Sequence, residues 1–463
     1  MSVKNTDYKK EEGVILFVIF GVLSFMLFLI AFILLRRTPQ GILLTIDNLF
    51  IIGCSILFGV MFPITYYYSI NHDNNVFLRE ISKYGALELF LYYICVSIFM
   101  ILYVYFFRLM CSENATLFKE ERKSSKIRDE HILISAVILL LVGVVADYLY
   151  CSAYGGYLGY LQYSAYIRSG ITDMIPNRWS FLIIFRDCIV ISSYLFCAQI
   201  KKDGVVRIGR LALFIISFVM SIMVLYANKG RISLMVYLVV LFLTWWIHKK
   251  KVEHIKLKQI ATIGIFAVAF LWGFMGVSEL MDRASGFSPV EALLNEVSFC
   301  FSNFKVLINN MEVEDVRLFV DIISYPLFLL PSSLWIRIFP NTASDIMTIF
   351  VFGSQKGVGD VYGEVPIDAI SFGYIQLGIF GVCVVAVLAG IISAILYKLI
   401  DKMLDNKIRL VIITYISVDI ILRSLLYADS YGIVQRCFSL IVFALIYWGI
   451  GLFYGKNKYT QGN

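Results

Sequence analysis

One polar stretch in an otherwise apolar chain constrains this protein more than any other feature. Residues 277–369 carry many charged side chains, whereas nearly every other long stretch is apolar enough to cross a lipid bilayer. Hydrophobic residues make up 60% of the chain and the mean hydropathy is +0.80, values far outside the range of soluble proteins. The sequence therefore predicts an all-α polytopic membrane protein with one large segment outside the membrane.

The number of spans follows from the length of the apolar runs. A helix needs about 20 apolar residues to cross ~30 Å of hydrocarbon, and about eleven runs meet this condition. The predicted spans are residues 13–35, 43–70, 85–110, 131–150, 180–200, 211–227, 232–247, 259–277, 370–397, 410–427 and 433–453.

These spans divide the chain into three parts. Residues 1–276 are predicted to form an N-terminal transmembrane bundle of about eight helices. Residues 277–369 form an extracytoplasmic loop between the eighth and ninth helices, and residues 370–463 form the C-terminal transmembrane helices. Within the loop, residues 321–339 are apolar but contain two prolines, which makes them a candidate re-entrant segment.

The distribution of lysine and arginine predicts the orientation. Basic residues cluster in connections on alternate sides of successive spans, which places these connections in the cytoplasm; they are residues 36–37, 119–128, 201–210, 249–258 and 398–409. The long segment, with twelve acidic and five basic residues, is then outside. The formal net charge of +7 reports topology and contact with anionic membrane lipids, and no nucleic-acid partner is expected.

Several kinds of chemistry are not expected from the composition. The nine cysteines and four histidines form no Cys-x-x-Cys and no ligand-spaced cluster, so no metal site is predicted. The glycines of residues 356–364 are not followed by the Lys-Ser/Thr of a phosphate-binding loop. We expect no cofactor and no ATP-driven work.

Two places hold positive charge where a membrane protein seldom keeps it. Lys229, Gly230 and Arg231 form a tight turn at the outer mouth of two helices, and the cations are either interface anchors or ligands for an anion such as a diphosphate. Asp419 and Arg423 lie four residues apart and so share one helix face. They form either a structural ion pair or, with Arg436 of the next span, an outward-facing basic pocket.

Two further places carry clustered polar groups. Asp147 and the Arg186-Asp187 pair flank a tyrosine-rich stretch, residues 148–166, which is either an aromatic belt or a surface that stacks on sugar rings. In the long segment most charges are expected on a solvated surface. Asp360, Glu364 and Asp368 are the exception, because they lie just before a helix that enters the membrane.

The order of these parts resembles that of the bacterial oligosaccharide repeat unit polymerases, the O-antigen and capsule polymerase family. The resemblance depends on Lys-Gly-Arg-Ile-Ser (residues 229–233), on the proline-rich residues 330–340 and on residues 373–381, Gly-Tyr-Ile-Gln-Leu-Gly-Ile-Phe-Gly. The last pattern is similar to a late family signature of a tyrosine followed by spaced glycines. That family often has an acid beside the aromatic, whereas here Ser371 and Phe372 stand there and Glu364 lies further upstream.

The resemblance implies a membrane glycosyltransferase at the outer face of the bacterial cytoplasmic membrane. It would extend a glycan carried on a polyprenyl diphosphate, using a cationic clamp for the departing diphosphate and a carboxylate base. A chain-length regulator and a flippase are the expected protein partners. A lipid-linked oligosaccharide flippase or transporter, or a related polysaccharide ligase, is the alternative. The candidate residues are Glu364 or Asp360 as the base, and Lys229, Arg231, Arg337, Arg423, Arg436 and Tyr374 for substrate binding.

Overall fold

A computed structural model shows long helices running side by side between two ends of a bundle. It describes residues 2–72, 75–111, 115–118, 126–169, 177–202, 205–228, 231–256, 259, 289–330, 334, 338–339, 341–359, 361, 363–403 and 406–460. The helices of the first part are α1 (Ser2–Leu34), α2 (Ile46–Ile56), α3 (Phe62–Asn71), α4 (Val76–Ile81), α5 (Ala86–Met110), α6 (Lys126–Ser152), α7 (Tyr157–Ser169), α8 (Cys188–Gln199), α9 (Ile208–Asn228) and α10 (Arg231–Lys250). Those that follow are α11 (Pro289–Asn310), α12 (Val320–Ile323), α13 (Ala343–Phe352), α14 (Ala369–Met403), α15 (Asn406–Tyr415) and α16 (Ser430–Thr460).

Shorter helical segments and strands connect these helices. A π-helix (Leu57–Met61) joins α2 to α3, and a second one (Ile416–Leu422) continues α15. Turns of 3-10 helix cover Ser180–Asp187, Val313–Asp315 and Tyr325–Leu329. The strands are β1 (Arg37–Thr38), β2 (Gly41–Leu43), β3 (Lys201–Lys202), β4 (Val205–Val206) and β5 (His254–Ile255).

Nine helices in the described part of the chain are long and apolar enough to cross a membrane, which confirms the all-α polytopic class. They coincide with nine of the predicted spans. Of the other two spans, residues 260–277 lie outside the described residues. Residues 410–427 correspond to α15 and its π-helical continuation, 10 and 7 residues long, so this buried segment is shorter than the other spans.

Most of the predicted cytoplasmic connections meet at one end of the bundle. Strands β1, β2 and β5 form an antiparallel sheet, which joins the connection after α1 to the one after α10. The buried Arg409 donates to the carbonyls of Thr116 and Leu117 at 2.7 and 2.8 Å and pairs with Asp401 at 2.6 Å. These contacts tie the connections after α5 and α14 to the same end.

The opposite end is built by the long polar segment, where two described charges, Lys305 and Asp321, are exceptions to the mainly solvated surface that the sequence predicts. Helix α11 packs its Phe301 ring against Phe62 with centroids 4.7 Å apart, and Tyr84 donates to the Phe301 carbonyl at 2.8 Å. Lys305 is buried and contacts Glu88 of α5 at 2.5 Å. The apolar face of α11 therefore packs against the membrane helices. A charged side chain on that face needs an ion-pair partner, because it is removed from water.

The candidate re-entrant segment is described in part. Residues 320–329 form α12 and a 3-10 turn, and the Phe328 ring of that turn packs edge-on against Tyr431 at 5.9 Å. Residues 331–333, 335–337 and 340 lie outside the described residues. Re-entry of this segment therefore stays a prediction.

Helix α14 reverses direction near its start, at the glycines of the polymerase-like pattern. Leu377 and Gly378 have non-helical dihedral angles, with φ of +56° at Gly378. A Cβ built on Gly373 would lie 2.7 Å from the Cα of Val382, although a straight helix would separate these residues by about 13 Å. The glycines thus allow a short first helix to fold back onto the long one.

The end of this short helix is closed by the polar segment. The backbone N–H groups of Arg317 and Leu318 donate to the carbonyls of Ile375 and Gln376, each at 3.0 Å. Asp321 accepts from the Arg317 guanidinium and from the Gln376 amide at 2.9 Å. The orphan carbonyls that a helix end leaves are therefore satisfied here.

We expect the two ends of the bundle to face opposite sides of the membrane. A cysteine replacing the 90% exposed Val313 should react with a membrane-impermeant maleimide in intact cells. A cysteine replacing Lys250 should react only after permeabilisation, because the distribution of lysine and arginine predicts that the basic end is cytoplasmic. The background should lack the partly exposed Cys197, Cys383 and Cys437. The reverse labelling pattern would place the polar segment in the cytoplasm.

The reversal in α14 predicts different costs for two glycine substitutions. Gly373→Ala should lower the free energy of unfolding by about 1–3 kcal/mol, because its methyl group would overlap the Val382 backbone. Gly449→Ala, on a helix face with no heavy atom within 4 Å of the new Cβ, should be neutral or stabilising. Denaturant titration in detergent measures both. Equal stability of the two variants would contradict the folded-back geometry.

Candidate functional site

A cavity of about 330 Å³ at the polar end brings three predicted site residues together. Glu364 comes from the chain before α14, Arg423 from the end of the π-helix and Arg436 from α16. The complete lining is Ser344, Glu364, Pro366, Arg423, Tyr427, Asp429, Tyr431, Gly432, Gln435 and Arg436. Two guanidinium groups and two carboxyl groups therefore converge on one space.

Backbone pairing explains how Glu364 reaches the two arginines. The N–H of Ala428 donates to the Ile367 carbonyl at 2.7 Å, and the N–H of Ala369 donates to the Leu425 carbonyl at 3.2 Å. The Val365 N–H donates to the Thr348 hydroxyl of α13 at 2.9 Å. These bonds fix the chain that carries Glu364 along the segment between the π-helix and α16.

Arg423 is held in place by neighbours on two helices. Its guanidinium pairs with Asp419 at 2.9 Å, as the four-residue spacing predicted, and donates to the Ser233 hydroxyl of α10 at 2.9 Å. The guanidinium also lies over the Tyr427 ring at 5.4 Å. Asp419 is inside the π-helix, a rare helical form that is frequent at functional sites.

Arg436 is buried with fewer partners. It is 6% exposed and donates to the Tyr427 carbonyl at 2.8 Å. Among the residues that the structure describes, no carboxylate lies within ion-pair distance of it, and the Nε atoms of Arg423 and Arg436 find no acceptor. A buried cation without a counter-charge is costly, and an anion in the cavity would remove this cost.

The two carboxyl groups of the cavity titrate near neutral pH. Although 38% of the Glu364 side chain is accessible, crowding by the cavity walls removes much of the water from its carboxyl group. This burial and the Asp429 charge raise the pKa of Glu364 to about 7, against the opposing effect of Lys356 at 3.8 Å. Burial raises the pKa of Asp429 to about 6. A carboxyl group with such a pKa can exchange a proton at physiological pH.

The other predicted site residues either do not line this cavity or are not fully described by the structure. Lys229, Arg337 and Asp360 lie outside the described residues. Arg231 begins α10 two residues before Ser233, but its side chain is not among those described. Tyr374 does not line the cavity; its ring packs edge-on against Phe304 at 4.9 Å. The proposed roles of these residues stay predictions.

Several residues of the cavity were not predicted from the sequence. Ser344, Tyr431 and Gln435 line it beside the predicted residues, and Ser233 positions Arg423. Ser233 ends the Lys-Gly-Arg-Ile-Ser pattern, so its position was a usable signal. Ser344 carried no such signal in the sequence, because a single serine in a polar segment belongs to no pattern. Only the fold shows that it lines the cavity.

The tyrosine-rich region holds a separate buried charge. Arg186 is fully buried and pairs with Asp147 at 2.7 Å rather than with its neighbour Asp187. Its guanidinium lies 4.8 and 4.7 Å from the ring centroids of Tyr150 and Tyr160. These two rings therefore contact an arginine of the protein itself.

No metal-binding arrangement is present in the part of the chain that the structure describes, since no three His, Cys, Asp or Glu residues there could hold an ion together. The comparisons with known proteins give no further guidance. No family model, no curated protein and no solved structure matches the chain.

Proposed function

We propose that the protein polymerises oligosaccharide repeat units carried on polyprenyl diphosphate. The product would be a surface polysaccharide, made at the outer face of the bacterial cytoplasmic membrane. The observation that carries the proposal is the cavity itself, which is lined by a carboxyl group and by two guanidinium groups, one buried and one partly buried, that have unused Nε donors. Guanidinium groups bind phosphate oxygens through two parallel hydrogen bonds and stay charged at every physiological pH.

The proposed reaction uses each of these groups. Glu364 takes the proton from the acceptor sugar hydroxyl, and the oxygen attacks the anomeric carbon of the donor glycan. The bond between that carbon and the diphosphate oxygen breaks, and its electron pair leaves with the diphosphate. Arg423 and Arg436 stabilise the negative charge that develops on this leaving group. The glycosidic bond energy is already in the donor, so the reaction needs no nucleotide.

Ser233 and Asp419 would set the position of the clamp. They contact the guanidinium of Arg423 from two directions, each at 2.9 Å. An arginine held at both sides loses less conformational entropy when it binds a phosphate than a free one does. Because Ser233 lies near the start of α10, the same contact keeps Arg231 close to the proposed donor site.

Arg436→Ala should abolish polymerisation while leaving the protein stable. Loss of a charge-assisted contact to the leaving group costs on the order of 10²- to 10³-fold in rate. Removing a buried cation that has no ion-pair partner should leave the melting temperature unchanged or higher. The measurements are a ladder assay with purified protein and a lipid-linked repeat unit, and thermal unfolding in the same detergent.

Two further variants make this test specific. Arg436→Lys should retain part of the activity, because a lysine keeps the charge but not the planar fork. Arg178→Ala is the matched control, since Arg178 lies over Trp179 away from the cavity and should leave activity unchanged. Normal ladders from Arg436→Ala would exclude this residue from the clamp. Translocation of the lipid-linked unit without any ladder would favour the transporter alternative.

The pH profile tests the role of Glu364. Because the base must be ionised, the polymerisation rate should rise with pH and reach half of its maximum near the Glu364 pKa of about 7. Glu364→Gln should remove both the activity and this step. If the variant keeps an active, pH-dependent reaction, the base is another carboxylate, and Asp360 becomes the candidate.

Stability should change with pH in the opposite direction. The folded-state pKa values of Glu364 and Asp429 are raised above the ordinary 4.5 and 3.8 to about 7 and about 6. Their contribution to stability is therefore complete below pH ~4 and is lost as the pH rises to ~7. Thermal unfolding of Glu364→Gln should depend less on pH in this range than unfolding of the unmodified protein.

A further inference from the structure

The cavity lined by Glu364, Arg423 and Arg436 is the arginine cavity. A second cavity lies on the other side of the backbone pairing that borders it. Its volume is about 450 Å³, and α14, the second π-helix, α16 and the Tyr325–Leu329 turn form its walls. The lining is almost entirely apolar and reaches Phe50 and Tyr103 within the bundle. This volume is about three times that of a ~150 Å³ apolar cavity that admits benzene, so the space is large enough for a hydrocarbon chain.

The cavity is a groove along the helices rather than a closed sphere. On the long part of α14, after the reversal, its lining residues extend from Val385 to Leu396, about 16 Å at 1.5 Å per residue, more than half of the ~30 Å hydrocarbon layer. Two lining residues, Ile392 and Ile441, are 48% and 43% exposed, so the groove is open to its surroundings at these residues. A chain in the bilayer can therefore enter from the side.

The groove and the arginine cavity share one segment of the protein. Arg423 and Arg436 line the arginine cavity, whereas their neighbours Ser424 and Cys437 line the groove. The same alternation holds for Asp429 and Ala428. A ligand with an anionic head and an apolar chain can therefore place one part in each space.

We infer that the groove binds the diphosphate-proximal part of the isoprenoid chain of the lipid-diphosphate substrate while its diphosphate lies between Arg423 and Arg436. This inference rests on the proposed function and adds the place of the lipid. A phospholipid carries two chains and one phosphate, whereas a lipid diphosphate carries one chain and two phosphates. The lipid diphosphate is therefore the better match, because the protein offers one groove for a chain and two arginines for phosphates. Binding inside the bundle also fixes the distance from the reacting carbon to the clamp, because head and chain are held together.

Tryptophan substitutions in the full-length protein in nanodiscs test the inference. Ala389→Trp would fill the middle of the groove and Ile392→Trp its side opening, whereas Ile395→Trp lies on an exposed part of α14 outside the lining. The ligands are undecaprenyl diphosphate and inorganic pyrophosphate. Both groove variants should bind the lipid about tenfold more weakly, because the chain loses its packing partners. Their pyrophosphate affinity and all binding by Ile395→Trp should be unchanged.

The outcomes separate this inference from the proposed function. Normal affinity of both groove variants for undecaprenyl diphosphate would overturn the groove as the chain site, while pyrophosphate binding would still support the clamp. Failure of the unmodified protein to bind either ligand would overturn the clamp and the proposed function together. Equal competition by phosphatidylglycerol would show that the groove holds bulk lipid, and would also overturn the inference. Ile392→Trp decides the matter even if the more buried Ala389→Trp does not fold.

Discussion

Two backbone hydrogen bonds, between residues 367–369 and 425–428, hold the polar segment onto the membrane helices where both cavities form. Backbone N–H and C=O groups within an apolar bundle need hydrogen-bond partners. A chain that leaves a π-helix or precedes the first turn of a helix has such groups without partners inside the helix. The pairing provides partners for both chains at once. As a result Glu364 lines the same cavity as Arg423, and this pair of chains borders both the arginine cavity and the apolar groove.

Pairing of buried charges explains why the arginine cavity is singled out. Several buried or partly buried cations have a carboxylate partner at 2.5–2.9 Å; they are Arg186 with Asp147, Lys305 with Glu88, Arg317 with Asp321, Arg409 with Asp401 and Arg423 with Asp419. The first four pairs are consistent with a structural role, whereas Arg423 also lines the arginine cavity. Arg436 is buried to a similar degree but has no carboxylate partner within the described residues. Burial of a cation without a counter-charge costs free energy, and such a cost is typical of binding sites, where the ligand supplies the missing charge.

The reversal of α14 links the polymerase-like glycine pattern to this site. Gly373 and Gly378 allow the short helix to fold back, and Asp368 caps its start by accepting from Ile370 and Ser371 at 3.0 Å. The folded-back helix also contributes Ala369 and Phe372 to the wall of the groove. The glycines therefore shape the site through close backbone approach, and they contact no reacting group in the proposed reaction.

The sequence by itself determined the all-α polytopic class, nine of the spans, the clustering of basic connections and the Asp419–Arg423 pair. Each depends on local composition or on a spacing along one helix, which the chain carries without reference to its fold. Only the tertiary structure decided that Glu364, Arg423 and Arg436 share a cavity, that Tyr374 does not line it, and that Lys305 is buried. These features depend on contacts between segments that are far apart in the sequence. The periodicity of apolar residues within one helix does not show which other helix its apolar face will contact. Lys305 of α11 shows the same limit, because it resembles a solvated charge until the fold buries it and supplies Glu88 as its partner.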